Sequence, residues 1–258
     1  MCSLAFAPFS ATAATLKVGG TGSALANMKL LADAFQASRP DTQISVVPGL
    51  GSSGSIKAVA AAALDLGLSG RPLDPAERAQ KLVERELART PLVLASMRSH
   101  TGFSLVDIAR IFDGSLHTWP DGSPLRPVLR PVRDSENTLF QAMSPEIAHA
   151  LTLAHVRPGV HIAITDQDSA DAIERIPGAV GGSTLGLILS ERRAIKALPL
   201  QGVAPSVTAL ARGKYPYYKP LYLVTTQNPS ELTRAFIAFL LSPQGGKILS
   251  DNGYLPLE

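Results

Sequence analysis

The sequence predicts an α/β fold in which a mostly parallel sheet is flanked by helices on both faces. From Thr15 onward, short apolar runs alternate with amphipathic segments, and this repeated strand–helix order is typical of such folds. Apolar residues make up 45% of the 258 residues and charged residues 17%, so the chain can bury a substantial core. The length suits either one large domain or two lobes.

The first two predicted strands each lead into a glycine-rich turn and a helix. Residues 16–18 form the first strand, and Ser23 is the predicted N-cap of the helix that follows. The second strand, residues 44–47, leads into a glycine- and serine-rich loop, residues 49–55, which opens an alanine-rich helix. The apolar face of the first helix comprises Leu25, Met28, Leu31 and Phe35.

The next part of the chain continues the same alternation as far as Met97. Residues 64–68 are a third predicted strand, and Asp74 begins a capping box with proline at the first helical position. Residues 91–95 are a fourth strand. Beyond Met97 the predicted strands are residues 128–132, 179–182, 195–200 and 221–225. The predicted helices there are residues 104–112, 144–155, 169–176, 232–241 and 246–250.

Two of these strands look like crossings between two lobes. They lie near residues 92–96 and 220–225, so the first lobe would be discontinuous in sequence. We therefore expect residues 14–95 and 221–258 to form lobe 1 and residues 96–220 to form lobe 2.

The N-terminal segment predicts export. Residues 1–14 carry no charge, and residues 11–13 (Ala-Thr-Ala) have the small-x-small form of a signal-peptidase site. We therefore expect residues 1–13 to be a signal peptide and the mature protein to be periplasmic. The only cysteine, Cys2, lies in that segment, so the mature chain should have no disulfide.

Composition and motifs argue against several function classes. The net charge is +3 and the basic residues form no run, which does not favour a nucleic-acid binder. The five histidines are scattered without metal-ligand spacing, and no G-x-S-x-G nucleophile motif is present. We therefore predict a monomeric, non-enzymatic protein with no metal and no cofactor.

Four predicted loops combine small residues, hydroxyls or an arginine at a strand-to-helix junction. Such loops lie beyond the carboxyl ends of strands, where α/β sheets bind ligands. Helix N-termini, serine hydroxyls and arginine all donate hydrogen bonds to oxyanions. Taken singly each loop could be a plain helix cap, but one small tetrahedral anion could use all four. The loops are residues 21–23, 52–55, 69–71 and 133–138.

A second hypothesis comes from the same glycine loop. Residues 49–54 match the G-x-G-x-x-G pattern that binds dinucleotides, which would indicate a nucleotide-dependent oxidoreductase. Pro48 interrupts the turn, the loop follows the second strand rather than the first, and Asp65 is near the beginning of its strand. The pattern is therefore the weaker basis for a function.

The loops, in their order along the chain, resemble the phosphate-binding proteins of bacterial phosphate ABC importers. These have the type II periplasmic-binding-protein fold, and the likeness covers nearly the whole mature chain. The resemblance implies two lobes, a hinge of two crossing strands and capture of the ligand in the cleft between them. The most specific segments are residues 48–55, 65–73, 111–119, 176–181, 215–216, 241–246 and 252–257.

The resemblance implies a ligand, partners and a set of binding residues. The ligand would be phosphate or a related small oxyanion, delivered to the membrane subunits of an ABC transporter or to a sensor protein. The family often has Asp or Ser where this chain has Gly70, and Asp134 and Glu136 also depart from its anion loop, so the oxyanion stays open. The predicted ligand-binding residues are Thr21, Gly22, Ser23, Ser53, Gly54, Ser55, Ser69, Arg71, Arg133, Ser135, Asn137 and Thr138.

Overall fold

The computed structural model describes residues 14–257, in which strands and helices alternate as the sequence predicts. The strands are β1 (Ala14–Gly20), β2 (Thr42–Val47), β3 (Leu66–Ser69), β4 (Leu82–Ser96), β5 (Arg126–Leu129), β6 (His161–Ile162), β7 (Ala179–Thr184), β8 (Lys196–Ala197), β9 (Tyr218–Thr226) and β10 (Leu255–Pro256). The helices are α1 (Leu25–Ala37), α2 (Gly51–Ala60), α3 (Pro75–Arg78), α4 (Leu105–Asp113), α5 (Ser135–Gln141), α6 (Pro145–Val156), α7 (Asp166–Arg175), α8 (Leu185–Ser190), α9 (Val207–Ala211), α10 (Glu231–Leu240) and α11 (Pro243–Asp251).

The strands form one mixed sheet with two wings. Its order is β2-β1-β3-β9-β4-β7-β5-β6, and β8 and β10 each pair with β4. Strands pair in parallel within each wing, β1 with β2 and β3, and β5 with β6 and β7. The 15-residue strand β4 joins the wings, because residues 82–91 pair with β9 and residues 92–95 pair with β7.

The apolar core follows the same division. One cluster, running from Leu92 to Tyr215, packs β5 and β7 against α4, α6 and α7. The other side of the molecule has a cluster from Leu16 to Tyr254, together with a smaller one around Ile56 and Val59. Each wing therefore buries its own apolar faces, and the surface between the wings is left to polar side chains.

Helix caps confirm some predicted starts and correct one. Asp74 and Ser104 form the capping boxes of α3 and α4, and Pro75 is the first residue of α3, as predicted. Ser23 is not the N-cap of α1: it lies in a 3-10 turn, Gly22–Ala24, and Ala24 occupies the cap position without a side-chain bond. The chain tightens into this turn before the helix begins, so the Ser23 hydroxyl bonds Thr21 instead.

Several predicted bounds differ from the structure in the second half of the chain. Strand β5 ends at Leu129 rather than residue 132, and the strand predicted at residues 195–200 is only β8. Helix α7 begins three residues before Ser169, because Thr165 caps it. Helices α5, α8 and α9 were not predicted, since each has at most seven residues and is too short to show a helical period.

The predicted signal peptide, residues 1–13, lies outside the described residues. Among residues 14–257, none of the helices has the length and apolar character that crossing a membrane would need.

Candidate functional site

A polar cleft lies between the two wings, at the carboxyl ends of β1, β3 and β5. Its volume is about 590 Å³, and residues from both wings line it. This is the position at which open α/β sheets bind ligands. The lining residues are Gly20, Gly22, Gly49, Leu50, Gly51, Ser52, Ser53, Lys57, Arg71, Asp74, Glu77, Arg130, Pro131, Arg133, Asp134, Ser135, Ile164, Thr165, Asp166 and Gln167.

The wall on the side of β1 and β3 is built around the first turn of α2. Leu50 precedes this helix and gives it no side-chain cap, so the N–H groups of the first turn remain available to an anion. Ser52 Oγ accepts a hydrogen bond from Gly70 N at 2.9 Å, which fixes the turn after β3 against α2. The exposed Ser53 lies on the open side of the same turn.

Arg71 is held at the edge of this wall by an acidic partner. Its two terminal nitrogens donate to the two Glu77 carboxylate oxygens, each at 2.7 Å, and one of them also donates to Ser53 Oγ at 3.1 Å. The hydrogen bond with Arg71 lowers the pKa of Glu77 and raises the pKa of Arg71. The charge of Arg71 is therefore largely neutralised before any ligand arrives.

The opposite wall places a buried arginine at the end of β5. Arg130 is 4% exposed; its Nη1 donates to the Ala163 carbonyl at 2.8 Å and its Nη2 to Asp134 Oδ2 at 2.9 Å. Its Nε has no hydrogen-bond partner among residues 14–257. Ser135 begins α5 beside it, and Asp134 caps that helix by accepting from Glu136 N at 2.9 Å. A ligand atom in the cleft could satisfy the free Arg130 donor.

Five charged side chains meet at the base of this wall: Arg130, Asp134, Glu136, Asp166 and Lys219. Lys219 Nζ donates to Asp166 Oδ1 at 3.0 Å, and Arg130 Nη2 lies 4.0 Å from Asp166 Oδ2. Burial would raise the pKa of Asp166, but the charges of Lys219 and Arg130 outweigh burial and lower it. Burial raises the pKa of Glu136 to about 7, although the charge of Lys219 opposes this shift. The Glu136 carboxyl group is therefore only partly ionised at neutral pH.

Gly70 lies where the two walls touch. A Cβ at this position would be 2.8 Å from Lys219 Cε, 3.3 Å from Ser135 Oγ and 3.5 Å from Ser52 Oγ. The space that a side chain at residue 70 would use is thus occupied by Lys219. A second contact joins the walls nearby, where Gln167 Nε2 donates to the Gly22 carbonyl at 2.9 Å.

The structure places five of the twelve predicted site residues on the cleft wall. These are Gly22, Ser53, Arg71, Arg133 and Ser135. Of the others, Thr138 is exposed and Gly54 is partly buried, and the remaining five are buried. The five buried residues are Thr21, Ser23, Ser55, Ser69 and Asn137.

Three of the buried hydroxyl or amide side chains hold the backbone near the cleft. Ser55 Oγ donates to the Gly19 carbonyl at 2.7 Å and accepts from Leu68 N at 3.1 Å, which ties α2 to β1 and β3. Ser69 Oγ donates to the Arg71 carbonyl at 2.6 Å. Asn137 Nδ2 donates to the carbonyls of Arg130 and Pro131 at 3.0 and 2.7 Å. These groups shape the walls on which a ligand would lie.

Sequence reasoning missed the deepest polar groups of the cleft. Ser52 could have been found, because it belongs to a loop that was already singled out. Arg130 was hidden inside the strand predicted at residues 128–132, which in fact ends at Leu129. Asp166 is not among the predicted site residues, and nothing local marks Lys219, the second residue of β9. Only the pairing of β9 with β3 and β4 brings Lys219 behind the cleft wall.

The glycine loop behind the oxidoreductase hypothesis lies on an edge strand. Strand β2, which precedes Gly49, is at the end of the sheet order and has β1 as its neighbour. In dinucleotide-binding folds the fingerprint follows the first strand, which is central in the sheet. The placement of residues 49–54 therefore gives this hypothesis no support.

Comparisons with known proteins agree on one class. A family model described as a PBP superfamily domain matches residues 7–244. The phosphate-binding protein PstS of Bacillus subtilis (strain 168) is 25% identical over 255 residues, which cover 94% of this chain and 81% of that protein. Phosphate-binding protein PstS 2 of Streptococcus pneumoniae is 33% identical over 84 residues, 33% of this chain and 28% of that one.

Solved structures share the whole architecture. A putative phosphate ABC transporter substrate-binding protein with bound phosphate from Clostridium perfringens has a TM-score of 0.79 and 21% identity, covering 95% of this chain and 100% of its own. An ABC-type phosphate transport receptor from Vibrio cholerae has a TM-score of 0.67 and 20% identity, covering 93% and 99%. At these identities the likeness concerns the fold, and it confirms the α/β fold class predicted from the sequence.

Proposed function

The chain belongs to the PBP superfamily, and from this premise we propose that it is a solute-binding protein that captures a small oxyanion, phosphate first among them, in the cleft between its wings. The relatives named above are phosphate-binding proteins, and one solved neighbour holds phosphate. They support the prediction of a binding protein rather than an enzyme. They give no support to the oxidoreductase alternative.

The observation that carries the proposal is Arg130. It is a buried arginine that lines the cleft, and its Nε–H has no hydrogen-bond partner in the described part of the chain, residues 14–257. An unsatisfied buried donor is costly, so a ligand that accepts its hydrogen bond gains affinity. The Ser135 hydroxyl and the first turn of α2 offer further donors close by. A tetrahedral anion with four oxygens matches donors that converge from both walls.

Delivery of the ligand extends the proposal. We infer a role as the substrate-binding component of an ABC importer, with the importer's membrane subunits as partners; a sensor protein is the other candidate. Export to the periplasm, with residues 1–13 as the signal peptide, belongs to the same proposal. The lobes that would close on the ligand are residues 14–95 with 221–258, and residues 96–220.

Calorimetry with a panel of anions tests the function. Phosphate, sulfate, molybdate and small carboxylates would be titrated into the protein and into two variants, Arg130→Lys and Arg126→Lys. Lysine keeps the charge but loses the planar fork of donors. We expect Arg130→Lys to weaken phosphate binding by about 10-fold or more. Arg126 is an exposed residue of β5, the strand that precedes Arg130, and it does not line the cleft, so Arg126→Lys should leave the affinity unchanged.

The panel can also contradict the proposal. If the parent protein gives no binding heat with any of these anions, the binding function is wrong. If Arg130→Lys binds phosphate as tightly as the parent does, Arg130 does not contact the ligand.

A further inference from the structure

The cleft is larger than a free phosphate ion needs. Its volume of about 590 Å³ falls within the range of roughly 300–1,000 Å³ that is usual for sites of small organic molecules. Phosphate has five non-hydrogen atoms, and the donors proposed for it are those of the inner part, at Arg130, Ser135 and the first turn of α2. With the wings as they stand, the outer part of the cleft has room for another part of a ligand.

The outer part differs in chemistry from the inner part. Arg133 lines it, is exposed, and has no hydrogen-bond or ion-pair partner among residues 14–257. Ile164 lines it as well and is 68% exposed. Leu50 and Pro131 add further apolar surface. An inorganic ion held at Arg130 would leave Arg133 unpaired and Ile164 in water. The carboxylate of an organic acid would pair with Arg133, and its carbon atoms would cover Ile164.

The inner and outer sites lie on one fixed loop. Asn137 Nδ2 donates to the carbonyls of Arg130 and Pro131, and Asp134 N donates to the Pro131 carbonyl at 2.8 Å. These bonds close a turn between β5 and α5 that holds Arg130 inside the wall and leaves Arg133 at the mouth. A ligand that spans the two arginines would meet a loop that is already ordered, which reduces the entropy cost of binding.

One other cation of the outer cleft is already compensated, because Arg71 is paired with Glu77 through two hydrogen bonds of 2.7 Å. Lys57 lies on the wall formed by α2, and its charge also contributes to the lowered pKa of Glu77. Arg133 lies on the same loop as Arg130, so it is the cation best placed to receive a second group of a ligand held at Arg130.

We propose that the cleft takes phosphate monoesters that carry a carboxylate, in addition to free phosphate. The phosphoryl group occupies the inner donors at Arg130 and Ser135, the carboxylate pairs with Arg133, and the carbon atoms between them cover Ile164. This inference rests on the proposed function, because it places the phosphoryl group at the same inner site.

The test compares three ligands by calorimetry: inorganic phosphate, ethyl phosphate and 2-phosphoglycolate. The last two are similar in size, but only 2-phosphoglycolate has a carboxylate. In the parent protein we expect 2-phosphoglycolate to bind at least as tightly as phosphate and about 10-fold more tightly than ethyl phosphate. Arg133→Gln should weaken 2-phosphoglycolate by about 10-fold more than it weakens phosphate or ethyl phosphate, so that the preference for 2-phosphoglycolate over ethyl phosphate is lost.

A matched control and the inner-site variant separate the possible failures. Arg212→Gln removes another exposed arginine, away from the cleft, and should change none of the three affinities. Arg130→Lys should weaken all three ligands. If phosphate binds and 2-phosphoglycolate does not, or if Arg133→Gln affects all three ligands alike, this inference is wrong and the proposed function stands. If none of the three binds, this inference is wrong, and so is phosphate as the ligand of the proposed function.

Discussion

Arg130 and Arg133 are three residues apart on one loop, yet their environments are opposite. Arg130 is buried with Asp134 and Asp166 nearby, whereas Arg133 is exposed at the mouth of the cleft. The sequence favoured Arg133, because Arg130 was assigned to the interior of a strand that in fact ends at Leu129. The predicted strand runs three residues too far, to residue 132, so Arg130 is hidden inside it although it follows the end of β5.

The raised pKa of Glu136 predicts that the stability of the protein depends on pH. Burial raises its pKa to about 7, above the value of 4.5 expected when the chain unfolds. Between those two values the folded protein keeps a proton that the unfolded chain releases, so this group's contribution to stability falls as pH rises from 4.5 to 7. Each unit between the two pKa values is worth about 1.4 kcal/mol.

The variant Glu136→Gln removes this titration while keeping the shape of the side chain. The variant should gain stability relative to the parent as pH rises: the difference between its free energy of unfolding and that of the parent should be more positive at pH 8 than at pH 5, as measured by urea denaturation. Glu231→Gln, at an exposed position of α10, is the control and should show much less difference between the two pH values. An equal effect of Glu136→Gln at both pH values would mean that this carboxyl group titrates normally.

At the scale of the element, α2 shows how one helix serves both the fold and the cleft. Ser52 and Ser55 lie three residues apart on its buried face, and Ser53 lies on its exposed face. Ser55 bonds Gly19 and Leu68, so it attaches the helix to β1 and β3. The glycines and serines that indicated an anion loop therefore divide into a structural set and a cleft-lining set.

Two serine variants test this division. Ser55→Ala should cost roughly 1–3 kcal/mol of unfolding free energy, because it leaves buried backbone groups without their partner. Its phosphate affinity should stay within about 3-fold of the parent. Ser53→Ala should do the opposite: a change in stability within about 0.5 kcal/mol, as is usual at the surface, with weaker phosphate binding. Urea denaturation and calorimetry measure the two effects, and loss of binding in Ser55→Ala alone would reverse the assignment.

At the scale of the whole molecule, β4 and β9 determine how the wings can move. Strand β4 belongs to both wings and pairs with β9 along residues 82–91, so these strands form the connection that a closing motion would bend. Away from them, the wings meet at the Gln167–Gly22 hydrogen bond, at Gly70, and where α8 packs beside Gly253 and Tyr254. A closing or opening motion would have to shift these contacts.

We expect the cleft to close around its ligand. Small-angle X-ray scattering should give a smaller radius of gyration with saturating phosphate than without it. Gln167→Ala removes one bond between the wings, so its ligand-free radius should equal or exceed that of the parent. Its phosphate affinity should fall by up to about 10-fold, since a hydrogen bond contributes about 0.5–1.5 kcal/mol. An unchanged radius in the parent at saturation would contradict a moving cleft.

The sequence by itself determined the fold class, the order of most strands and helices, and the loops that line one wall of the cleft. These follow from local rules: apolar periodicity, capping residues such as Asp74 and Ser104, and glycine-rich turns after strands. The predicted Ser23 cap and the missed helix α5 show where such rules fail, because short turns depend on what packs against them.

Only the tertiary structure decided which polar groups meet in the cleft. Lys219, the second residue of β9, is more than 50 residues from Asp166, and the two are brought together because β9 pairs between β3 and β4. The burial of Arg130 and the raised pKa of Glu136 likewise depend on neighbours from several elements. Burial and charge pairing are properties of the assembled fold, and they act through space between residues that are distant in sequence.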